Sequence, residues 1–152
     1  MLQPFNRITT RRVQWVTDIL TKHQNSDEEK RKILILEDDK DLLYLFQEVF
    51  KINGFEVDAF SNHRAAISSF GSATENYDLI LMDLKLDGVV DGRTVYKKFK
   101  EPDPKLKICV FTGLEVSVNE FKEICPSFEE RYLIQKPVSI NSLVQKINAI
   151  LQ

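Results

Sequence analysis

The strongest constraint on the fold comes from two short apolar runs that each end at acidic residues. The first run spans residues 33–36, and the second lies within residues 77–82. A strand that is apolar on both faces requires a helical layer on each side, which is typical of the inner strands of a parallel sheet. We therefore predict that both runs are central strands of an α/β protein.

Patterns typical of strands and of helices alternate along most of the chain. Several predicted helices end at stop signals such as Asn53-Gly54 and Pro102. Five strands alternating with five helices imply parallel βαβ units with right-handed crossovers, which is a doubly wound α/β fold. The predicted strands are 33–36, 55–60, 77–82, 106–111 and 132–134, and the predicted helices are 42–50, 63–70, 93–100, 115–124 and 140–151.

Residues 1–29 do not share this alternation. A short helix is expected there, followed by a polar linker at residues 24–29. The sequence thus predicts an N-terminal helical extension, residues 1–29, and a single domain, residues 30–152. No DNA-binding or enzymatic domain follows Gln152 in this sequence, so we expect the domain to act as a stand-alone protein.

Composition excludes several classes of function. Charged residues make up 29% of the chain, and the net charge is only −2 without a clustered basic face, so direct binding to nucleic acid is not expected. No apolar run approaches the roughly 18 residues of a membrane span, so we expect no membrane insertion. Cys109 and Cys125 do not form a disulfide framework, and no signal pattern precedes the domain. These features favour a cytoplasmic protein.

Polar residues follow four of the predicted strands at the same end. Glu37 and Asp38 follow the first strand, Asp83 follows the third, Thr112 follows the fourth and Lys136 follows the fifth. In a parallel sheet these ends share one edge, where ligands bind at the topological switch point. We therefore expect these side chains to converge in one pocket.

The oxygen-rich composition of this pocket indicates its chemistry. Crowded carboxylates repel one another unless a cation joins them, and oxygen ligands without His or Cys favour Mg²⁺. A carboxylate beside a metal, a hydroxyl and a lysine can act as a nucleophile toward phosphorus. Any single acidic residue at a strand end is more often the N-cap of the next helix, as we expect for Asp39.

From Lys32 to Gln152 the sequence resembles the receiver domain of two-component response regulators. The resemblance implies a flavodoxin-like (βα)5 fold and a Mg²⁺-dependent phosphorylation site. It implies that Asp83 accepts the phosphoryl group and that Glu37, Asp38, Asp83 and the backbone carbonyl of Lys85 bind Mg²⁺.

The same resemblance implies a conformational switch. Thr112 matches the hydroxyl residue that moves toward the phosphoryl group, and Lys136 matches the family lysine, followed by a cis proline at Pro137. Phosphorylation would then be a local charge change that biases a two-state surface. Such a domain catalyses only its own phosphorylation and dephosphorylation, so it is a signalling switch and not a turnover enzyme.

Partners are also implied by the resemblance. A histidine kinase or histidine phosphotransfer protein would donate the phosphoryl group in a phosphorelay, and an unidentified effector protein would read the switch. The kinase-docking surface would consist of Leu42, Leu45, Pro137 and Val138. Plain core packing is the alternative role for Leu45.

Three positions depart from the family pattern. The loop after Asp83 is longer by one residue and contains Asp87-Gly88. Leu133 occupies the usual aromatic switch position, so either Tyr132 shifts by one residue to replace it or the coupling is absent. Leu114 is apolar at a position that tunes dephosphorylation, which predicts slow hydrolysis.

The main alternative is a pseudo-receiver, a phosphorylation-independent interaction module, and the altered loop is the feature in its favour. A haloacid-dehalogenase-type phosphatase requires Asp-x-Asp after its first strand, which residues 37–39 do not provide. A GTPase requires a glycine-rich loop ending in Gly-Lys-Ser/Thr, and the five glycines are not so arranged.

Overall fold

The structure, a computed structural model, describes residues 30–72, 76–86 and 90–152. Strands and helices alternate as the sequence predicted, with an added short hairpin. The strands are β1 (Lys32–Leu36), β2 (Glu56–Phe60), β3 (Leu79–Met82), β4 (Lys85–Leu86), β5 (Val90–Asp91), β6 (Ile108–Thr112) and β7 (Leu133–Gln135). The helices are α1 (Lys40–Ile52), α2 (His63–Gly71), α3 (Gly92–Lys100), α4 (Val118–Ile124) and α5 (Ile140–Leu151), and a 3-10 turn spans Glu130–Tyr132.

The main sheet has five strands in the order β2-β1-β3-β6-β7, and every neighbouring pair is parallel. The prediction that the first and third strands are central is confirmed, since β1 and β3 lie side by side within the sheet. The strand β6 is also internal and fully buried. The strand order changes direction between β1 and β3, which places the topological switch point at their carboxyl ends. The doubly wound fold is therefore confirmed.

Two hydrophobic layers cover the two faces of the sheet. Because successive side chains of a strand point to opposite faces, Ile33 and Ile35 of β1 pack in the layer with α1 and α5. Leu34 and Leu36 pack in the opposite layer, which includes residues of α2, α3 and α4. Burial on both faces explains the continuous apolar run of β1.

Side-chain caps fix where helices begin. The Asp39 carboxylate accepts hydrogen bonds from the backbone N–H groups of Asp41 and Leu42, so its predicted role as an N-cap is confirmed. The helix α4 was predicted to begin at residue 115, and this is wrong. A capping box between Ser117 and Glu120 starts α4 three residues later, and this sequence signal was available in the Ser-x-x-Glu spacing.

The segment after β3 forms a feature that the sequence did not predict. Lys85–Leu86 and Val90–Asp91 pair as a short antiparallel hairpin before α3. Asp87 and Gly88 lie outside the described residues. Gly92, the first residue of α3, lies so close to Leu84 that an added Cβ would be 2.5 Å from the Leu84 backbone.

Residues 31–152 form one compact unit. The predicted helical extension and linker at residues 1–29 lie outside the described residues, so the division of the chain at residue 30 stays a prediction. Cys109 and Cys125 are both free thiols. Within the described part of the chain, every helix is too short or too polar to cross a membrane.

Candidate functional site

Four strands bring polar residues to one edge of the sheet, three of them buried and one half-buried. Glu37 follows β1, Asp83 follows β3, Thr112 ends β6 and Lys136 follows β7. The first three are 3%, 7% and 0% exposed, and they are the buried polar residues among those described. Buried polar groups are costly without partners, so their clustering at the switch point indicates a functional pocket.

Lys136 joins the two buried carboxylates. Its Nζ donates to Asp83 Oδ2 at 2.8 Å and to Glu37 Oε2 at 3.0 Å, while it lies 4.8 Å from the centre of the Phe111 ring. The sequence predicted that these charged residues would meet, and the structure brings them together. Phe111 was not singled out in the sequence, because its contact with Lys136 depends on the position of β7 beside β6.

Asp38, which is exposed, completes an oxygen-rich cluster with Glu37 and Asp83. One carboxylate oxygen from each of Glu37, Asp38 and Asp83 lies within 4.8 Å of the others. With the Lys136 ammonium, these three groups leave two negative charges when all are ionised. A hard divalent cation such as Mg²⁺ fits both this charge and the oxygen-only donor set.

Burial and charge shift the pKa values of Glu37 and Lys136, the two charged residues beside Asp83. Burial raises the pKa of Glu37, and the hydrogen bond and charge of Lys136 oppose this only in part. Burial by itself lowers the pKa of Lys136, but hydrogen bonds to Asp83 and Glu37 outweigh it, so the net shift is upward. Lys136 therefore keeps its positive charge at neutral pH.

Asp83 is oriented by the backbone. The N–H of Lys85 donates to Asp83 Oδ1 at 3.0 Å, and the N–H of Asp83 donates to the Leu36 carbonyl at 3.1 Å. With Lys136 on the other oxygen, the carboxylate is held from both sides. The structure thus places Lys85 beside Asp83 through its N–H group, while the metal-binding role of its carbonyl stays a prediction.

Thr112 is held by the loop that follows it. Its Oγ1 accepts a hydrogen bond from the Leu114 N–H at 3.2 Å, and its carbonyl accepts one from the Lys136 N–H at 2.8 Å. The Gln135 side chain also donates to the Thr112 carbonyl. Gln135 was missed in the sequence, since only the pairing of β6 with β7 places it opposite Thr112. The predicted bond from Thr112 to a phosphoryl group stays a prediction.

Leu133 occupies the position at which the resemblance leads us to expect an aromatic switch residue. This residue begins β7 opposite Val110, and it packs against the layer that includes α4. Tyr132 lies before the strand, in the 3-10 turn, where its ring is 6.3 Å from that of Phe128. Tyr132 therefore does not occupy the strand position of Leu133, and the alternative in which Tyr132 shifts by one residue to replace the aromatic residue is wrong.

The residues of the predicted docking surface differ in exposure. Leu45 is 41% exposed, so the alternative of plain core packing is wrong, while Leu42 and Val138 are only partly buried. Pro137 is exposed, and the peptide bond before it is cis as expected. Tyr44, next to Leu45, is 66% exposed and was not predicted.

Comparison with known sequences identifies a family with this arrangement. The model of the response regulator receiver domain matches residues 33–148. The transcriptional regulatory protein PrrA of Mycobacterium tuberculosis is 29% identical over 122 residues, which cover 80% of this chain and 50% of PrrA. The chain therefore spans about half the length of this curated relative.

Solved structures agree on the fold. A CheY-like response regulator receiver domain protein from Methanospirillum hungatei has a TM-score of 0.69 and 24% identity, covering 81% of this chain and 94% of that one. The response regulator TrrA from Thermotoga maritima, in complex with Mg²⁺ and BeF, has a TM-score of 0.62 and 22% identity, covering 80% of this chain and 99% of that one.

Proposed function

Because the chain belongs to the response regulator receiver domain family, we propose that it is switched by a phosphoryl group on Asp83. Receiver domains are signalling switches of two-component systems and not enzymes in the usual sense. The observation that supports Asp83 as the acceptor is its position, since it is buried, bonded to the Lys136 ammonium and close to the Glu37 and Asp38 carboxylates. Its strand-end position and its fixed orientation favour it over the other acidic residues.

The proposed reaction is a displacement at phosphorus. A carboxylate oxygen of Asp83 attacks the phosphorus of a phosphohistidine, an O–P bond forms, the P–N bond breaks and the donor imidazole is released. Lys136 neutralises charge on the transferring group, because its Nζ already lies 2.8 Å from Asp83. Thr112 would donate its hydroxyl hydrogen to a phosphoryl oxygen of the product.

The metal site is proposed to use Glu37, Asp38, Asp83 and the Lys85 carbonyl. When bound, Mg²⁺ would neutralise charge and orient the phosphoryl oxygens. The donor set supports this assignment, since the three carboxylates converge and no His or Cys joins them among the described residues. The TrrA structure was obtained with Mg²⁺ and BeF, and we extend that chemistry to this chain.

The donor is proposed to be a histidine kinase or histidine phosphotransfer protein in the cytoplasm. Its docking surface would comprise Leu42, Leu45, Pro137 and Val138, and the exposure of Leu45 and Pro137 supports this role. Action as a stand-alone switch in a phosphorelay, with a separate effector protein, is part of the same proposal.

The test is phosphorylation by a small donor. We expect incubation with Mg²⁺ and acetyl phosphate to add one phosphoryl group to the intact protein, as measured by mass spectrometry. Asp83→Asn should abolish the gain, whereas the matched variant Asp103→Asn, at an exposed loop residue, should retain it. Omission of Mg²⁺ should also abolish it.

The alternative is the phosphorylation-independent pseudo-receiver. It would show no mass gain and no thermal stabilisation by Mg²⁺ with beryllofluoride, a phosphoryl analogue. Thermal stabilisation by beryllofluoride without a mass gain from acetyl phosphate would instead indicate that a cognate protein donor is required. Phosphorylation that persists in Asp83→Asn would contradict the assignment of the acceptor.

A further inference from the structure

The side chain of Gln135 connects the last strand to the loop that follows Thr112. Its Nε2 donates to the Thr112 carbonyl at 3.1 Å and to the Leu114 carbonyl at 3.0 Å. One amide group therefore holds the two carbonyls on either side of Gly113. We call these two hydrogen bonds the Gln135 bridge.

The bridge belongs to a closed set of hydrogen bonds. The Leu114 N–H donates to Thr112 Oγ1 at 3.2 Å, and the Lys136 N–H donates to the Thr112 carbonyl at 2.8 Å. The position of the Thr112 hydroxyl is thus tied to Leu114, and Leu114 is tied to Gln135. A movement of the Thr112 hydroxyl toward Asp83 would break its bond from the Leu114 N–H, and a shift of the loop backbone that accompanies it would strain or break the Gln135 bridge.

The neighbouring position on β7 cannot supply this connection. Leu133 has no polar side-chain atom, so it can follow the loop only through apolar packing. Gln135 is the β7 side chain whose hydrogen bonds reach the Thr112 loop. Gly113, between the two carbonyls, has no side chain of its own, and the nearest atom to a Cβ added there would be the Lys136 Cβ at 4.0 Å, so the two amide hydrogen bonds contribute to fixing this turn.

We propose that Gln135 is a positioning residue that stabilises the phosphate-free arrangement of the Thr112 loop and so opposes activation. This inference rests on the proposed function of Asp83. A population shift requires different interaction free energies in the two states, and the Gln135 bridge supplies such a difference. Because Gln135 is exposed and its bonds compete with water, we expect its loss to favour the activated state by about fivefold.

The test is a titration with beryllofluoride in the presence of Mg²⁺. Gln135→Met retains the length of the side chain but removes its donors, and the matched control Gln145→Met alters an exposed residue of α5. We expect the half-saturating concentration to fall about fivefold in Gln135→Met and to remain unchanged in Gln145→Met. Tighter binding cannot result from partial unfolding, so a purely structural role would not produce it.

Hydrogen exchange gives a second measurement without the ligand. The backbone amide of Leu114 should exchange faster in Gln135→Met than in the wild type, because the carbonyl of the same residue loses its hydrogen bond from Gln135 and the turn that carries the amide is held less firmly. Equal affinity and equal exchange in the two proteins would overturn the inference and leave the proposed function intact. An absence of beryllofluoride binding in the wild type would overturn the proposed function and this inference with it.

Discussion

Gly92→Ala should destabilise the protein because the structure leaves no space for a methyl group. A Cβ at this residue would lie 2.5 Å from both the Cα and the carbonyl oxygen of Leu84. Ordinary contacts of a Cβ are longer by about 1 Å, and the obstructing atoms are backbone, which cannot rotate away. Either α3 or the chain just after Asp83 must therefore move.

The expected loss follows from overpacking. Inserting a methyl group into a filled site costs about 1–3 kcal/mol, and the low helix propensity of Gly would by itself favour Ala. With a urea slope of about 2 kcal/mol/M, a loss of about 2 kcal/mol lowers the unfolding midpoint by about 1 M. Since Leu84 follows Asp83 directly, we also expect weaker binding of beryllofluoride.

The assay is urea unfolding, compared with a matched glycine variant. Gly71 is the last residue of α2, and nothing lies within 4 Å of its potential Cβ. Gly71→Ala should be neutral or stabilising by up to about 1 kcal/mol, because Ala restricts the unfolded chain. Equal midpoints for the two variants would refute the close approach of α3 to Leu84.

Three further results are expected. Asp58→Asn should cost roughly 0.5–1 kcal/mol at pH 7, because Asp58 accepts a hydrogen bond from Tyr77 at 2.7 Å and pairs with Lys32 at 3.1 Å. Burial acts to raise the pKa of Asp58, but these partners lower it overall. The stabilisation by Asp58 is therefore present above about pH 3.9 and is lost as the pH falls through the lowered pKa. Urea midpoints of the wild type and Asp58→Asn that differ by the same amount at pH 7 and pH 2.5 would contradict this. Ser117→Ala should cost about 1 kcal/mol through loss of the capping box, seen as a lower urea midpoint, and an unchanged midpoint would argue against that cap. Leu114→Glu should accelerate loss of the phosphoryl group, measured by mass against time, because an apolar side chain that is 44% exposed would no longer hinder the attacking water; an unchanged half-life would exclude this role.

Local sequence patterns were sufficient to predict the five strands of the main sheet and the five helices, but not the β4–β5 hairpin. The apolar runs of β1 and β3 reflect burial on both faces, and the cap at Asp39 depends on groups only two and three residues away. The parallel alternation then placed Glu37, Asp83 and Lys136 at one edge, because all parallel strands end on the same side. Boundaries were less exact where a cap outweighed periodicity, as at Ser117.

The sequence by itself determined the alternation of elements and the side of the sheet at which the polar residues meet, since both follow from periodicity over a few residues. The tertiary structure decided how these residues touch. Lys136 and Glu37 are 99 positions apart in the sequence. The hydrogen bonds of Gln135 depend on the register of β6 and β7, which places Thr112 opposite Gln135. The approach of Gly92 to Leu84 likewise depends on how α3 packs against the chain after β3. Such contacts arise from the packing of distant elements, and no local pattern encodes them.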